Sequence, residues 1–426
     1  MTDQNHLNRR DFLKGATLTS LGIALAAEEI NAHAQAAQPA GDTPAGPPVN
    51  CAVIGLGAQG REILATLAKL GNAPAVAICD SYTSPPYVKR ASDIAPKAAF
   101  VAEYGKVLEN PDVKAVFVAT PSHLHKPIAL DALAAGKHVY CEAPLASDLA
   151  DARAIAVGAA ASKALFQAGL QYRANKMHNH VRGFVLSGAL GAPVGGRGQW
   201  HKKTSWRRGA PTPERQKDLN WRLFKETSLG LPGEVGIHQF DVASWFLKAL
   251  PVKVSGFGGV QVWSSDGMEV QDTIQCVLEY PSGVRFVYDA TLGNSFDGTY
   301  EMLMGANSAM LIRDQRAWMF KETDSPLLGW EVYARKDKVG DETGVALVAD
   351  STKLIAQGKE PGKVGADVTK TALYQAIDSF LDCVRTNKKP ATGALEGYQA
   401  TVVGARVQEA CMGGTTVEFQ KDWFAI

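Results

Sequence analysis

The sequence predicts two domains in series: a doubly wound parallel α/β sheet first, then an α+β domain with an antiparallel or mixed sheet. Three observations carry this. Between residues 50 and 170, short apolar runs alternate with helical segments, the pattern of parallel strands with helices on both faces. From Val252 to Met310, strand patterns follow one another without helices, which leaves no room for parallel crossovers between them. The chain has 426 residues, enough for two domains of ordinary size.

Composition bounds the partners. Apolar residues make up 46% and charged residues 20%, with a formal net charge of +1. That describes a globular chain with a sizeable core and no charge footprint for nucleic acid or an anionic membrane. The six cysteines, at 51, 79, 141, 276, 383 and 411, lie far apart and form no CxxC. Neither a zinc site nor a disulfide framework is indicated.

Residues 1–34 read as an export signal. Asn8-Arg9-Arg10-Asp11-Phe12-Leu13-Lys14 resembles the twin-arginine motif. A mildly apolar segment, Gly15 to Ala27, is too short to span a bilayer. Ala32-His33-Ala34 fits a small-residue cleavage site. Residues 35–49, rich in Ala, Pro and Gly, read as a linker. The first domain is then 50–170 and the second 171–426, the final helices being candidates to pack back on the first.

Within the first domain, Cys51-Ala52-Val53-Ile54 is an apolar run entering Gly55, Gly57 and Gly60, with a helical segment over Arg61 to Leu70. A second run, Ala75 to Cys79, stops at Asp80. Strand, glycine turn, helix, strand, acid is the layout of a dinucleotide site. Gly55 permits the tight turn, Gly57 lets backbone N–H groups near the pyrophosphate, and Gly60 lets helix pack close to strand. The phosphates sit at the helix N-terminus, so Leu56, Ala58 and Gln59 of the turn join the cofactor-binding set. Asp80 is placed to accept from the adenosine ribose and to repel a 2′-phosphate, which favours NAD over NADP, although Lys89 and Arg90 lie nearby. Tyr82 to Pro86 reads as a loop. Strands over Ala115 to Ala119 and His138 to Cys141 end in Thr120-Pro121 and Glu142-Ala143-Pro144. Ligands of such sheets bind at these carboxyl ends. A helix spans about Pro127 to Ala135, another Leu149 to Ser162, and a strand Leu165 to Ala168.

After Gln171-Tyr172-Arg173 and a further helix, the second domain begins with a strand ending at Trp200 to Lys203 and a polar stretch, Thr204 to Phe224. Gly233 to Leu247 reads as a helix, and Tyr280 to Gly283 as a hairpin turn. Helices over Leu373 to Thr386 and Glu396 to Met412 precede a short strand, Thr415 to Phe419.

Together these pieces resemble the glucose–fructose oxidoreductase and inositol dehydrogenase (Gfo/Idh/MocA) family over about residues 50 to 420. The residues that carry the resemblance are the early GxGxxG, Thr120-Pro121 with His125, the Glu142-Ala143-Pro144 strand end, and Glu234-Val235-Gly236-Ile237-His238-Gln239-Phe240-Asp241. The resemblance implies an N-terminal Rossmann domain and a C-terminal domain with an open, mostly antiparallel sheet whose exposed face makes a homo-oligomer. It implies a sugar or cyclitol held between the domains, and contact of His125 with cofactor or substrate. The family's E-K-P lysine, which aids proton transfer, is Ala143 here, and Glu234 replaces the family's aspartate.

Hydride transfer from a carbinol needs a nicotinamide, a base, and groups that fix the carbon. Glu234 and His238, four apart, share a helix face, so the carboxylate can hold the imidazole while its other nitrogen acts as base. Tyr172 beside Arg173 is a second acid/base candidate, its phenol lowered by the cation. Lys202 or Lys203 is a third, and strand alternation points at most one inward. Trp221 and Arg222, with Arg173 and Asp241, are candidates for substrate contact. Trp206, Arg207 and Arg208 suit a sugar rim more weakly. His123 and His125, without a carboxylate or cysteine beside them, are a poor metal signature, and no metal is expected.

Two chemistries remain open. One is an NAD-dependent oxidoreductase acting on a sugar or glycoside. The other is a hydrolase that oxidises, eliminates, hydrates and reduces, as in the related NAD-dependent α-N-acetylgalactosaminidases, which also lack the lysine and carry a Tyr-Arg pair. A third reading, without chemistry, is a sugar-binding relative that has lost catalysis. The export signal implies a periplasmic or secreted protein, no membrane partner once it is removed, and a tightly held cofactor in a redox-neutral cycle.

Overall fold

The computed structural model describes residues 46–328, 331, 334–348 and 370–426. The expected signal 1–34 and residues 35–45 of the linker lie outside the described residues, and almost all that is described falls in one unit, Pro48–Ile426.

Six parallel strands form the first sheet: β1 (Cys51–Ile54), β2 (Ala75–Cys79), β3 (Ala99–Val101), β4 (Ala115–Val118), β5 (His138–Cys141) and β6 (Phe166–Ala168), in the order β3-β2-β1-β4-β5-β6. Strands β1 and β4 are buried on both faces, which is why they read as unbroken apolar runs. Helices α1 (Ala58–Lys69), α2 (Pro85–Ser92), α3 (Tyr104–Glu109), α4 (His125–Ala134) and α5 (Leu149–Ala161) connect them. Helix α2 corrects the loop read over Tyr82 to Pro86. Pro85 opens the helix, where its missing N–H and fixed φ are no handicap.

The second domain supplies α6 (Lys176–Leu186), α7 (Arg215–Leu219), α8 (Ile237–Leu247), α9 (Ala372–Thr386) and α10 (Ala394–Gly413). Among the described residues its sheet has ten strands: β7 (Pro193–His201), β8 (Lys253–Gly259), β9 (Thr273–Glu279), β10 (Arg285–Thr291), β11 (Thr299–Gly305), β12 (Ser308–Arg313), β13 (Arg316–Lys321), β14 (Lys336–Val339), β15 (Glu342–Leu347) and β16 (Thr416–Glu418). The order is β14-β15-β13-β12-β11-β7-β10-β9-β8-β16. Pairing is antiparallel except where β7 inserts parallel to β10. The β12–β13 hairpin turns on Asp314 and Gln315, both at positive φ. It lacks the Asn-Gly signature that marks such turns in a sequence.

Helix α9 packs Ile377 and Phe380 into the core of the first sheet beside Phe117 and Tyr140. Helix α10 and the residues leading into it join the domains: Thr401 Oγ1 accepts from the Leu145 N–H at 3.1 Å, and Thr392 Oγ1, before the helix, donates to the Ala168 carbonyl at 2.7 Å.

Candidate active site

The carboxyl ends of the parallel strands lie along one edge. Gly55 to Gly60 follows β1, Asp80 follows β2, Thr120-Pro121 follows β4, Glu142-Ala143 follows β5, and Tyr172-Arg173 follows β6. Gly55 stands at φ +95, and a Cβ there would lie 2.6 Å from the Ala119 carbonyl. A Cβ on Gly60 would lie 1.8 Å from the Gly55 oxygen. Around Gly57 there is nothing within 4 Å, and it caps α1 with no side-chain acceptor for the first-turn N–H groups. A pyrophosphate fits this cradle, because those donors and the helix dipole both favour an anion.

Asp80 is held by three donors: Leu56 N–H at 2.8 Å and the Tyr87 hydroxyl at 3.0 Å on Oδ2, and Tyr82 N–H at 2.8 Å on Oδ1. Each carboxylate oxygen accepts about two bonds, so Oδ1 keeps one site for a ribose hydroxyl. The Leu56 N–H thus positions the Asp80 carboxylate. Thr120 Oγ1 is buried without a partner, an acceptor and donor open to a ligand. Gln59 Nε2 donates to Glu142 Oε1 at 2.9 Å, tying the glycine turn to the β5 end. Burial pushes the Glu142 carboxyl up to about 7, with the Gln59 amide pulling the other way.

Beside this edge lies an acid/base cluster. Tyr172 and His238 meet edge to face with ring centroids 5.8 Å apart. Burial holds His238 at about 4, so its imidazole is neutral at pH 7, and its Nδ1 is buried without a partner. Tyr172 also stacks on His178 at 4.4 Å and 13°. Asn175, the N-cap of α6, accepts from the Met177 and His178 backbone and sits 3.0 Å from His178 Nδ1. His178 Nε2 faces Glu301 at 3.7 Å, beyond hydrogen-bond reach. His178 and Glu301 were not among the residues expected from the sequence. Glu301 had a signal: it alternates with Leu303 on the apolar inner face of β11, an odd place for a carboxylate.

Several expectations are corrected here. Glu234 does not hold His238. It accepts from Arg222 Nε at 3.0 Å and from Ser228 Oγ at 3.2 Å, through a π-turn (Pro232–Gly236) that opens the helix. Burial raises the Glu234 carboxyl, against the pull of Arg222. Arg173 does not lower Tyr172, whose pKa burial raises and Glu301 raises further. The Arg173 guanidinium instead grips Asp241 with two bonds, at 2.7 and 2.9 Å, so the two are committed to each other rather than open to substrate. His125 is 2% exposed. Its Nε2 faces the Thr120 carbonyl at 2.9 Å and its Nδ1 those of Pro144 and Leu145, so it braces the strand ends and has no free nitrogen for a ligand. Lys202 and Lys203 are both exposed beyond the last residue of β7, where strand alternation no longer applies. Trp221 carries the Arg222 guanidinium 4.4 Å over its ring and lies 6.2 Å from His123. Trp206 packs on the core, while Arg207 and Arg208 bond to Asp266 and Asn220.

Comparison with known proteins follows the same two-part division. A family model described as an oxidoreductase family with an NAD-binding Rossmann fold (GFO_IDH_MocA) matches residues 49–170, and one described as a GFO/IDH/MocA C-terminal domain matches 178–305. The chain is 26% identical over 322 residues to the 1,5-anhydro-D-fructose reductase of Ensifer adhaerens, covering 75% of this chain and 84% of that one. It is 26% identical over 336 residues to the 2,7-anhydro-N-acetylneuraminate hydratase of Escherichia coli, covering 77% and 82%. Among solved structures, levoglucosan dehydrogenase in complex with NADH and levoglucosan superposes with a TM-score of 0.70 at 17% identity, over 88% of this chain and 99% of that one. That likeness shows the fold.

Proposed function

The chain belongs to the Gfo/Idh/MocA oxidoreductase family and takes NAD as cofactor, and on that premise we propose that it moves a hydride between NAD and a secondary carbinol of a sugar or glycoside. NAD supplies the hydride chemistry when bound. The cradle from Gly55 to Gly60 and the Asp80 carboxylate hold it; His238 Nε2, on a neutral ring, takes or returns the hydroxyl proton. Tyr172, kept protonated by burial, donates a hydrogen bond to the same oxygen. The observation that carries this reading is the contact of Tyr172 with His238 at the carboxyl edge of the parallel sheet. Sugar substrates are supported by the reductase relative.

A second reading is an oxidation–elimination–hydration–reduction cycle on a glycoside. Two observations favour it: Ala143 stands where the E-K-P pattern has its lysine, and one relative is a hydratase. Incubating sugars and glycosides with the protein separates the readings. NADH that accumulates in step with sugar consumed supports simple oxidation. Aglycone released without added NAD supports the cycle. No NADH, no aglycone and no oxidised, reduced or epimerised sugar, across a broad panel, would remove both.

The twin-arginine pattern at Asn8 to Lys14 supports export to the periplasm or beyond. We extend the reading accordingly: NAD is carried out already bound, is held at about nanomolar affinity or tighter, and is regenerated on the same substrate, its product or a second sugar. Gel filtration followed by denaturation and nucleotide analysis tests this, and protein that emerges empty counts against it. The outer face of the second sheet leaves Phe257 70% and Val287 43% exposed, which supports a homo-oligomer through that face.

A further inference from the structure

The strands that flank the glycine turn are both touched by one segment of the second domain. In the first sheet β2 and β4 lie on either side of β1, so the chain after β2 marks the adenosine end of the cofactor track and the chain after β4 marks its far side. The segment between β7 and α8 reaches both. After β2, the Arg215 guanidinium lies 4.6 Å over the Tyr82 ring. After β4, Ser122 Oγ donates to the Thr227 carbonyl at 3.4 Å, and His123 lies 6.2 Å from Trp221.

Both sides of the Arg215–Tyr82 contact are braced. Tyr82 gives its N–H to Asp80 and meets Tyr87 edge to face at 5.1 Å, while the Tyr87 hydroxyl bonds the other Asp80 oxygen. The carboxylate expected to take the ribose is therefore built into the same knot as the ring that Arg215 covers. Arg215 is aimed by Asp218 at 2.8 Å. Behind it Asn220, 1% exposed, locks the segment by accepting from the Arg208 N–H and donating to the Arg208 and Gln216 carbonyls. A loop that only covered surface would not need a buried amide with three bonds at its centre.

We infer that Arg215 and Tyr82 form a retention contact: the dinucleotide is held beneath a bridge from the second domain, and release requires the Arg215–Tyr82 contact to open. This rests on NAD occupying the glycine turn, but not on the identity of the sugar or of the acid and base. It gives a physical route to slow cofactor loss that the glycine motif alone does not contain.

The test is a displacement experiment on the whole protein loaded with NADH and chased with excess ADP-ribose, following NADH fluorescence. Arg215→Ala is expected to raise the dissociation rate about tenfold, the scale of one partly desolvated cation–π contact. Arg215→Lys is expected to fall between that variant and wild type. Tyr82→Leu, which removes the ring but keeps the N–H to Asp80, is expected to match Arg215→Ala. Dissociation within about twofold of wild type in both Arg215→Ala and Tyr82→Leu overturns the inference while leaving the cofactor assignment standing. Wild-type protein that binds neither NADH nor ADP-ribose overturns the assignment and the inference together. Circular dichroism checks that each variant is folded; should Tyr82→Leu fail, the Arg215 pair decides alone.

Discussion

The cofactor half and the substrate half of the cleft are built on opposite principles. In the first, main chain does the binding: three glycines within six residues set a turn, and the turn sets the donors. In the second, side chains from separate segments meet, with Tyr172 after β6, His178 on α6, His238 on α8 and Glu301 on β11. Backbone donors keep the same charge wherever they lie. A buried imidazole or phenol has its protonation set by its surroundings. The first half is therefore sensitive to shape, the second to dielectric and hydrogen bonding.

Breaking the second half should have the largest effect. His238→Ala is expected to lower turnover by about 10² to 10⁴ while NADH binding stays within about twofold. Unchanged turnover would remove His238 from the chemistry. Tyr172→Phe is its companion, and a deeper loss there would move the proton transfer to the phenol.

Breaking the first half should reverse the pattern. Gly60→Ala drives a methyl against the Gly55 oxygen, where the clearance is 1.8 Å. Overpacking of this kind costs about 1–3 kcal/mol, so NAD affinity is expected to fall about five- to a hundredfold. Wild-type affinity in a calorimetric titration would mean that the turn relaxes freely. Asp80→Asn sharpens the comparison at one carboxylate, since it keeps the shape, loses the charge and turns one acceptor oxygen into an amide donor. Its preference for NAD over NADP is expected to shrink about tenfold, and tighter binding of NADP than NAD by the wild type would sink the assignment outright.

The smallest effect is on stability, and its sign separates the buried imidazoles from the buried carboxyl. His238 and His125 are both held at about 4 by burial, from an ordinary value of 6.5. Between those pH values the unfolded chain takes up protons that the native one refuses, so their contribution is lost as pH falls from 6.5 toward 4. Glu142 is raised from 4.5 to about 7, so the native state keeps a proton that the unfolded chain gives up. Its contribution is present below 4.5 and lost as pH rises to 7. Thermal midpoints across pH 4 to 7 should show His238→Asn flattening the acid side and Glu142→Gln flattening the neutral side, each by one to a few degrees. Identical slopes in wild type and both variants would show that these groups do not titrate with folding.

The sequence by itself determined the parallel domain, the glycine cradle, Asp80 and the family, because each depends on patterns confined to a few dozen residues. A glycine turn needs no distant partner to take its shape. Strands β1 and β4 announce their double burial by composition alone. Other elements were closed to such reading. The parallel insertion of β7 beside β10 is a choice among sheet edges that no local period encodes. The hairpin at Asp314 and Gln315 uses positive φ without glycine. Above all, only the tertiary structure decided that Glu234 turns to Arg222 and leaves His238 alone, that Arg173 grips Asp241 instead of activating Tyr172, and that His125 is a brace. Spacing along a helix says which side chains can meet. Which of them do meet, and with which charge, depends on the energy of removing each from water, and that energy is set by groups far away in the chain.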